Sequence, residues 1–253
     1  MPRRLVPPVR SAAWPSMYST VEAHVIARIE AAPIARAPFA HCVIDRIFPA
    51  DLYESIIDQW PEEASWESLA ESGRVGKGNY AERKVVLMNS AGFARLDARR
   101  RAFWQRDVGD WLLGERLRTA LLDKFAGDLG ARFGAPVSRT AGDALIVSDR
   151  TNYAIGPHTD APHRVVSLLF YLPEDDTFRR FGTSLYQPLD PAFRCEGGPH
   201  HPFSAFRRFS TVAFVPNRLV AFPKSDLCFH GVEAVDLAGI ERRLLIYNVR
   251  RIQ

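Results

Sequence analysis

The stretch Tyr153-Ala154-Ile155-Gly156-Pro157-His158-Thr159-Asp160, followed by Arg164-Val165-Val166-Ser167-Leu168-Leu169-Phe170-Tyr171-Leu172-Pro173, decides how this chain is read. Its second part is a short, nearly apolar run between Arg164 and Pro173, a candidate strand. Its first part ends in a His-x-Asp triplet. On an extended strand, residues i and i+2 point to the same side. His158 and Asp160 therefore present an imidazole nitrogen and a carboxylate oxygen to one point, filling two adjacent positions of an octahedral metal. Such a triplet is common by chance, so its weight depends on what surrounds it.

Outward from this stretch, the hydrophobic period is near 2 for the whole carboxy-terminal half. Candidate strands cover 144–148, 153–160, 164–172, 183–187, 210–215, 218–222, 228–235 and 242–250, separated by Pro, Gly, Asp and Asn clusters. Short strands at this spacing predict an antiparallel sandwich or barrel. Before Gly134 the period is 3.6. Val21, Val25, Ile26 and Ile29 share a helical stripe over 18–32. Asp51, with Glu54 three residues on, reads as an N-cap before the stripe Leu52, Ile56 and Trp60, which Pro61 stops. Val108, Trp111 and Leu112 fit one helix, and Leu117, Leu121, Phe125 and Leu129 a second, with Gly114 between them. Residues 67–82, with Gly73, Gly76 and Gly78, read as an exposed loop. The expectation is one domain over 1–253, helix-rich over 15–134 and β-rich over 136–252, with helices on one sheet.

A third metal ligand follows 72 positions after His158, in Phe222-Pro223-Lys224-Ser225-Asp226-Leu227-Cys228-Phe229-His230-Gly231-Val232. A later antiparallel strand can fold back and bring His230 beside the triplet. Two histidines and one carboxylate form the facial triad of non-haem Fe(II) oxygenases, which leaves positions open for co-substrate and dioxygen. Zn(II) tolerates such ligands but prefers four-coordination and has no redox chemistry. Twelve residues past His230 comes Arg242, with Arg243 beside it. A guanidinium matches a carboxylate with two parallel hydrogen bonds. Buried in a barrel it needs an anionic partner, and a metal-chelating dicarboxylate would provide one.

On these residues the chain resembles the Fe(II)- and 2-oxoglutarate-dependent dioxygenases, and among them the bacterial prolyl-hydroxylase-like members. The resemblance rests on His158-x-Asp160, His230 and the arginine a dozen residues on. It covers roughly 140–250 well and the amino-terminal half more loosely. It implies a double-stranded β-helix, a jelly-roll or cupin-like barrel, with Fe(II) held by His158, Asp160 and His230. It also implies 2-oxoglutarate as co-substrate, its far carboxylate on the strand arginine, with dioxygen at the remaining site. Succinate and CO2 leave, and a small molecule or an amino-acid or peptide side chain is hydroxylated. Asp160 argues against a halogenase, because a halide takes the carboxylate's position. Arg242 and Arg243 remain alternatives for the clamp; Arg242 is favoured by its distance from His230, but neighbouring strand residues face opposite ways and the register is open. The small polar residue that often follows the family's arginine by two is absent, since Leu244 and Leu245 stand there. Tyr153 is a candidate replacement, provided Gly156-Pro157 bulges the chain and turns it toward the cavity.

Composition limits the alternatives. The 253 residues are 47% hydrophobic and 25% charged, an ordinary globular balance. Only Lys77, Lys84, Lys124 and Lys224 are lysines, leaving 29 arginines among the 33 basic residues, yet 29 acids hold the net charge to +4. The basic clusters are short, so no nucleic-acid partner is expected. Neither a membrane span nor a signal segment is expected, and three scattered cysteines predict no disulfide framework and a cytoplasmic setting. His163 reads as a rim residue, His200 and His201 as surface-loop residues, Cys228 as a packed thiol, and Trp104, Trp111 and Phe125 as helix core. The loops 67–79 and 188–209 are expected to border the pocket. The competing reading is a non-oxidative cupin-like metal-binding protein or isomerase, which shares the histidines but needs no buried arginine.

Overall fold

The alternating pattern of the second half and the helical pattern of the first meet on one sheet. The structure, a computed structural model, describes residues 17–72, 80–88 and 91–252. The basic start of the chain and residues 73–79 of the glycine-bearing loop, with Gly73, Gly76 and Gly78, lie outside them. In chain order the strands are β1 (Cys42–Asp45), β2 (Glu67–Ser68), β3 (Arg83–Leu87), β4 (Thr140–Arg150), β5 (Ile155–His158), β6 (Arg164–Tyr171), β7 (Thr183–Pro188), β8 (Phe206–Val212), β9 (Arg218–Pro223), β10 (His230–Val232) and β11 (Glu241–Arg251). One sheet has the order β1-β9-β6-β11-β4-β3-β2 and the other β5-β10-β7-β8. Among the described residues every strand pairing is antiparallel.

The larger sheet is covered on both faces, so its central strands are apolar on both sides. Leu245, Tyr247 and Val249 of β11 join Ile146, Leu168, Phe170 and Leu219 against the helices. Leu244 and Ile246 of the same strand join Val147, Val220 and Phe222 on the opposite face, where Leu185 and Val212 of the smaller sheet meet them. The helices are α1 (Met17–Ala31), α2 (Ala50–Asp58), α3 (Ala98–Ala102), α4 (Asp110–Leu112), α5 (Glu115–Lys124) and α6 (Ala126–Phe133). Their stripes (Val25 and Ile29, Leu52 and Ile56, Leu117 and Leu121) all enter the helix-side core. Trp104, Trp111 and Phe125 are buried there too, as expected. No helix among the described residues is long and apolar enough to cross a membrane.

Several local expectations need correction. Pro49, not Asp51, precedes α2 as its cap; the Asp51 carboxylate accepts from the Leu52 amide inside the first turn. A proline with fixed φ is already suited to that position, which displaces the cap by two residues. The stripe Leu117 to Leu129 is two helices, broken at Phe125, whose φ of −105° and ψ of 18° leave the helical region. Val108 reaches the core through a π-helical stretch, Phe103–Gly109, that joins α3 to α4. Residues 67–82 are not all exposed loop. Glu67 is buried in β2, which pairs with β3. The helix-rich half thus lends β1, β2 and β3 to the edges of the larger sheet.

Close packing of the smaller sheet is fixed by Gly182, just before β7. A Cβ there would stand 1.7 Å from the Val212 carbonyl oxygen on the next strand. Gly130, exposed in α6, has nothing within 4 Å of such a Cβ. Opposite signs are therefore expected in urea unfolding. Gly182→Ala should lose about 1–3 kcal/mol by overpacking, and Gly130→Ala should gain roughly 0.5–1 kcal/mol from helix propensity.

Candidate metal centre

His158 ends β5 and His230 begins β10, and the two are direct cross-strand partners. Paired residues of an antiparallel ladder carry their side chains on one face about 5 Å apart. The imidazole centroids are accordingly 4.4 Å apart. The local backbone sets the tautomer of each ring. His158 Nδ1 lies 2.9 Å from the Gly156 carbonyl oxygen, and His230 Nδ1 lies 2.9 Å from the Cys228 carbonyl oxygen. A carbonyl only accepts, so each Nδ1 donates its proton and each Nε2 keeps a bare lone pair. Burial, reinforced by the neighbouring His230, pushes His158 down to about 3. Burial lowers His230 as well. Both rings are therefore neutral near pH 7, the form that ligates a cation.

Asp160 completes the set. A ring nitrogen of His158, a carboxylate oxygen of Asp160 and a ring nitrogen of His230 all lie within 4.8 Å of one another, a spacing that can hold a metal ion. The Asp160 carboxylate accepts from Arg164 Nη1 at 2.8 Å and from the Ser167 hydroxyl at 2.5 Å. Burial opposes its charge, but Arg164 and the two imidazoles outweigh it and hold the carboxyl well below the usual range. Two of its roughly four lone-pair sites remain for a cation. Neutral imidazole and carboxylate together are the donor chemistry of a non-haem iron or similar divalent site.

The cavity holding these residues has a volume of about 720 Å³ and opens between the two sheets. Gly197 stands at its rim with φ of 140°, a conformation L side chains rarely adopt, and a Cβ there would meet the Asp160 carbonyl oxygen at 2.7 Å. This brings the loop after β7 against the metal residues. His200 stays exposed on its loop, as expected, with its ring edge-on to the His158 ring at 4.7 Å and hydrogen-bonded to the Tyr80 hydroxyl. His163 lies exposed at the rim and Cys228 is a buried thiol bonded to Ser225, both as expected.

At the other end of the cavity lies Arg242, 1% exposed. Its Nε donates to the Phe181 carbonyl oxygen at 2.6 Å, Nη1 to Asp149 at 2.7 Å, and Nη2 to the Thr183 hydroxyl at 3.3 Å. Asp149, fully buried, also accepts Nε and Nη2 of Arg83 in a two-point pair. The anionic partner that a buried Arg242 needs is thus supplied in part from within, by Asp149. One carboxylate nevertheless faces two guanidiniums, so a positive charge is left over. Two of the five Arg242 donors remain unused. Arg243 faces the helix side, where it pairs with Glu241 and Glu174 and stands over the Trp60 ring.

Tyr153 is in the cavity wall. Its register shows how: His230 pairs with His158 but Val232 with Ile155, so two steps on β10 match three on β5. The extra residue falls at Gly156-Pro157, the bulge that turns the chain. The Tyr153 hydroxyl is buried without a hydrogen-bond partner, and the Arg83 guanidinium covers its ring at 4.4 Å. Burial raises its pKa, so it remains a donor. Sequence reading missed Asp149, Arg83, Thr183 and Ser167, because a single acid ending an apolar strand carries no pattern of its own. Replacing Asp149 by Asn leaves two guanidiniums uncompensated, and the expected loss in urea unfolding is about 3–5 kcal/mol. Arg243→Ala, on the outer side of the sheet where the side chain keeps partial contact with solvent, should stay within about 1 kcal/mol of wild type.

No family model matches the chain, and no curated protein matches it. Among solved structures it is similar to a Pseudomonas putida prolyl-4-hydroxylase, at 16% identity and TM-score 0.47, over 90% of this chain and 100% of that one. It is also similar to a 2OG-Fe(II) oxygenase-family oxidoreductase from Burkholderia pseudomallei, at 14% identity and TM-score 0.47, over 91% and 90%. A third is HygX from Streptomyces hygroscopicus with nickel and 2-oxoglutarate bound, at 12% identity and TM-score 0.42, over 83% and 82%.

Proposed function

We propose that this protein is an Fe(II)- and 2-oxoglutarate-dependent dioxygenase that hydroxylates a small molecule or an amino-acid or peptide side chain. Its two sheets are then the halves of a double-stranded β-helix, within one domain over 1–253. The observation that carries this reading is the sharing of one cavity. His158, Asp160 and His230 sit in it with both Nε2 atoms bare, and the surplus charge of Arg83 and Arg242 sits in it beside an orphaned Tyr153 hydroxyl. A cupin-like metal protein accounts for the first group and leaves the second without a purpose.

Fe(II) with 2-oxoglutarate and dioxygen supplies the oxidant for a C–H bond, releasing succinate and CO2. The chain supplies placement. His158 and His230 offer Nε2 because main-chain carbonyls occupy Nδ1, and Asp160 offers a carboxylate that Arg164 and Ser167 keep ionised and oriented. The spare N–H groups of Arg242 and the Tyr153 hydroxyl donate to the far carboxylate of the co-substrate, and the Arg83–Asp149 pair holds the guanidinium still. Leu145, Val147, Leu244 and Ile246 wall the space between these groups, and Phe222 packs on the His230 ring at 4.6 Å. Such a lining excludes water, which strengthens the ion pairs inside.

Anaerobic titration of the ferrous protein with 2-oxoglutarate tests the assignment. A visible charge-transfer band should grow to saturation. His158→Ala and Asp160→Ala should abolish it, Arg242→Gln should raise the apparent Kd at least tenfold, and Tyr153→Phe should raise it severalfold. Arg243→Gln should change it less than twofold. No band in wild type, with no succinate formed in air, would sink the proposal.

A further inference from the structure

Four arginines line the cavity: Arg83, Arg164, Arg242 and Arg250. Arg83 and Arg242 share Asp149, and Arg164 is held by Asp160. Arg250 has no acidic partner among the described residues, and its Nε is buried without a hydrogen bond. Beside it on the same face of β11 is Asn248, 1% exposed, with both amide atoms buried and unpartnered. Leaving a buried amide unpaired is unfavourable, because its lost hydration is not replaced. Two such groups side by side, one of them charged, are what a polar ligand would satisfy.

Register fixes where they lie. Asn248 pairs with Ser167 on β6, and Arg250 with Arg164. Ser167 and Arg164 are the two residues that hold Asp160. The unsatisfied pair is therefore one strand away from the supports of the proposed metal ligand. A register shift between Val249 and Arg250 brings the two guanidiniums opposite each other. Like charges directly across a ladder repel, and Asp160 offsets only one of them. Asp143, across from Asn248 on β4, has its own partner. Arg242 and Arg250 stand eight residues apart on one strand, about 26 Å, so they mark opposite ends of the cavity.

We propose that the Arg250 end of the cavity, with the buried Asn248 amide behind it on the same face of β11, binds an oxyanion of the substrate, a carboxylate or a phosphate, so that the substrate is an acid. This rests on the oxygenase reading for the identity of the molecule and on geometry alone for the site. The guanidinium provides the charge and the Asn248 amide a neutral donor, a combination suited to an oxyanion. Anchored there, the substrate's remaining atoms extend toward His158, Asp160 and His230, while Arg242 stays available to the co-substrate.

The probes are inorganic phosphate, followed by 31P line broadening, and 13C-labelled acetate, followed by its carboxyl resonance, each titrated into the full protein with and without saturating 2-oxoglutarate. Wild type should bind at least one of them, and which one tells phosphate from carboxylate. Arg250→Gln and Asn248→Asp should weaken that binding at least tenfold, while 2-oxoglutarate affinity stays within twofold. Arg250→Lys, which keeps the charge and guards against a folding artefact, should retain binding within fivefold of wild type. Arg242→Gln should show the reverse pattern. Binding of neither probe to wild type, or equal binding by wild type and Arg250→Gln, overturns the proposal. Loss of 2-oxoglutarate binding in wild type, with Arg250-dependent phosphate or acetate binding intact, overturns the oxygenase reading and leaves the anion site standing.

Discussion

The register of β11 between β4 and β6 is the constraint on which the rest of the molecule depends. It sets Arg242 opposite Asp149 on one side and Asn248 opposite Ser167 on the other. A slip of one residue would turn Leu245, Tyr247 and Val249 from the helices into the cavity and carry Arg243 inward. The apolar side chains forbid it, because both faces of this strand are buried against different partners. The polar residues of the cavity are thus positioned by hydrophobic packing they take no part in.

The metal-binding residues depend on a second, more local device. A ladder pairing aligns His158 with His230, and a single extra residue at Gly156-Pro157 lets Ile155 and Tyr153 face the same space. The carbonyls two residues before each histidine then fix both tautomers. Nothing distant is needed for this, since the backbone that places each ring also orients it. The acid is different. Asp160 relies on Arg164 and Ser167, which belong to the following strand.

Much of this was legible from residues alone. The triplet His158-x-Asp160, His230 and the arginine twelve positions later are separated by spacings that strands preserve, so their convergence followed from alternation. The β-rich half was readable because its strands are short and punctuated. The helix-side half was less so. β1 and β3 add strands at the sheet edges without an alternating signal long enough to separate them from loop, and the π-helical stretch leaves the apolar spacing almost unchanged.

The amino-acid sequence by itself determined which groups of chemistry were present and that alternating strands would carry them on shared faces. Only the tertiary structure decided between Arg242 and Arg243, because facing depends on register and register on packing against both neighbours. Only it supplied Asp149 as the internal counter-charge, since that residue meets Arg242 across a pairing 93 positions apart in the chain. And only it left the Asn248 amide and the Arg250 Nε without hydrogen-bond partners among the described residues, because an unpaired group is defined by everything that folds around it.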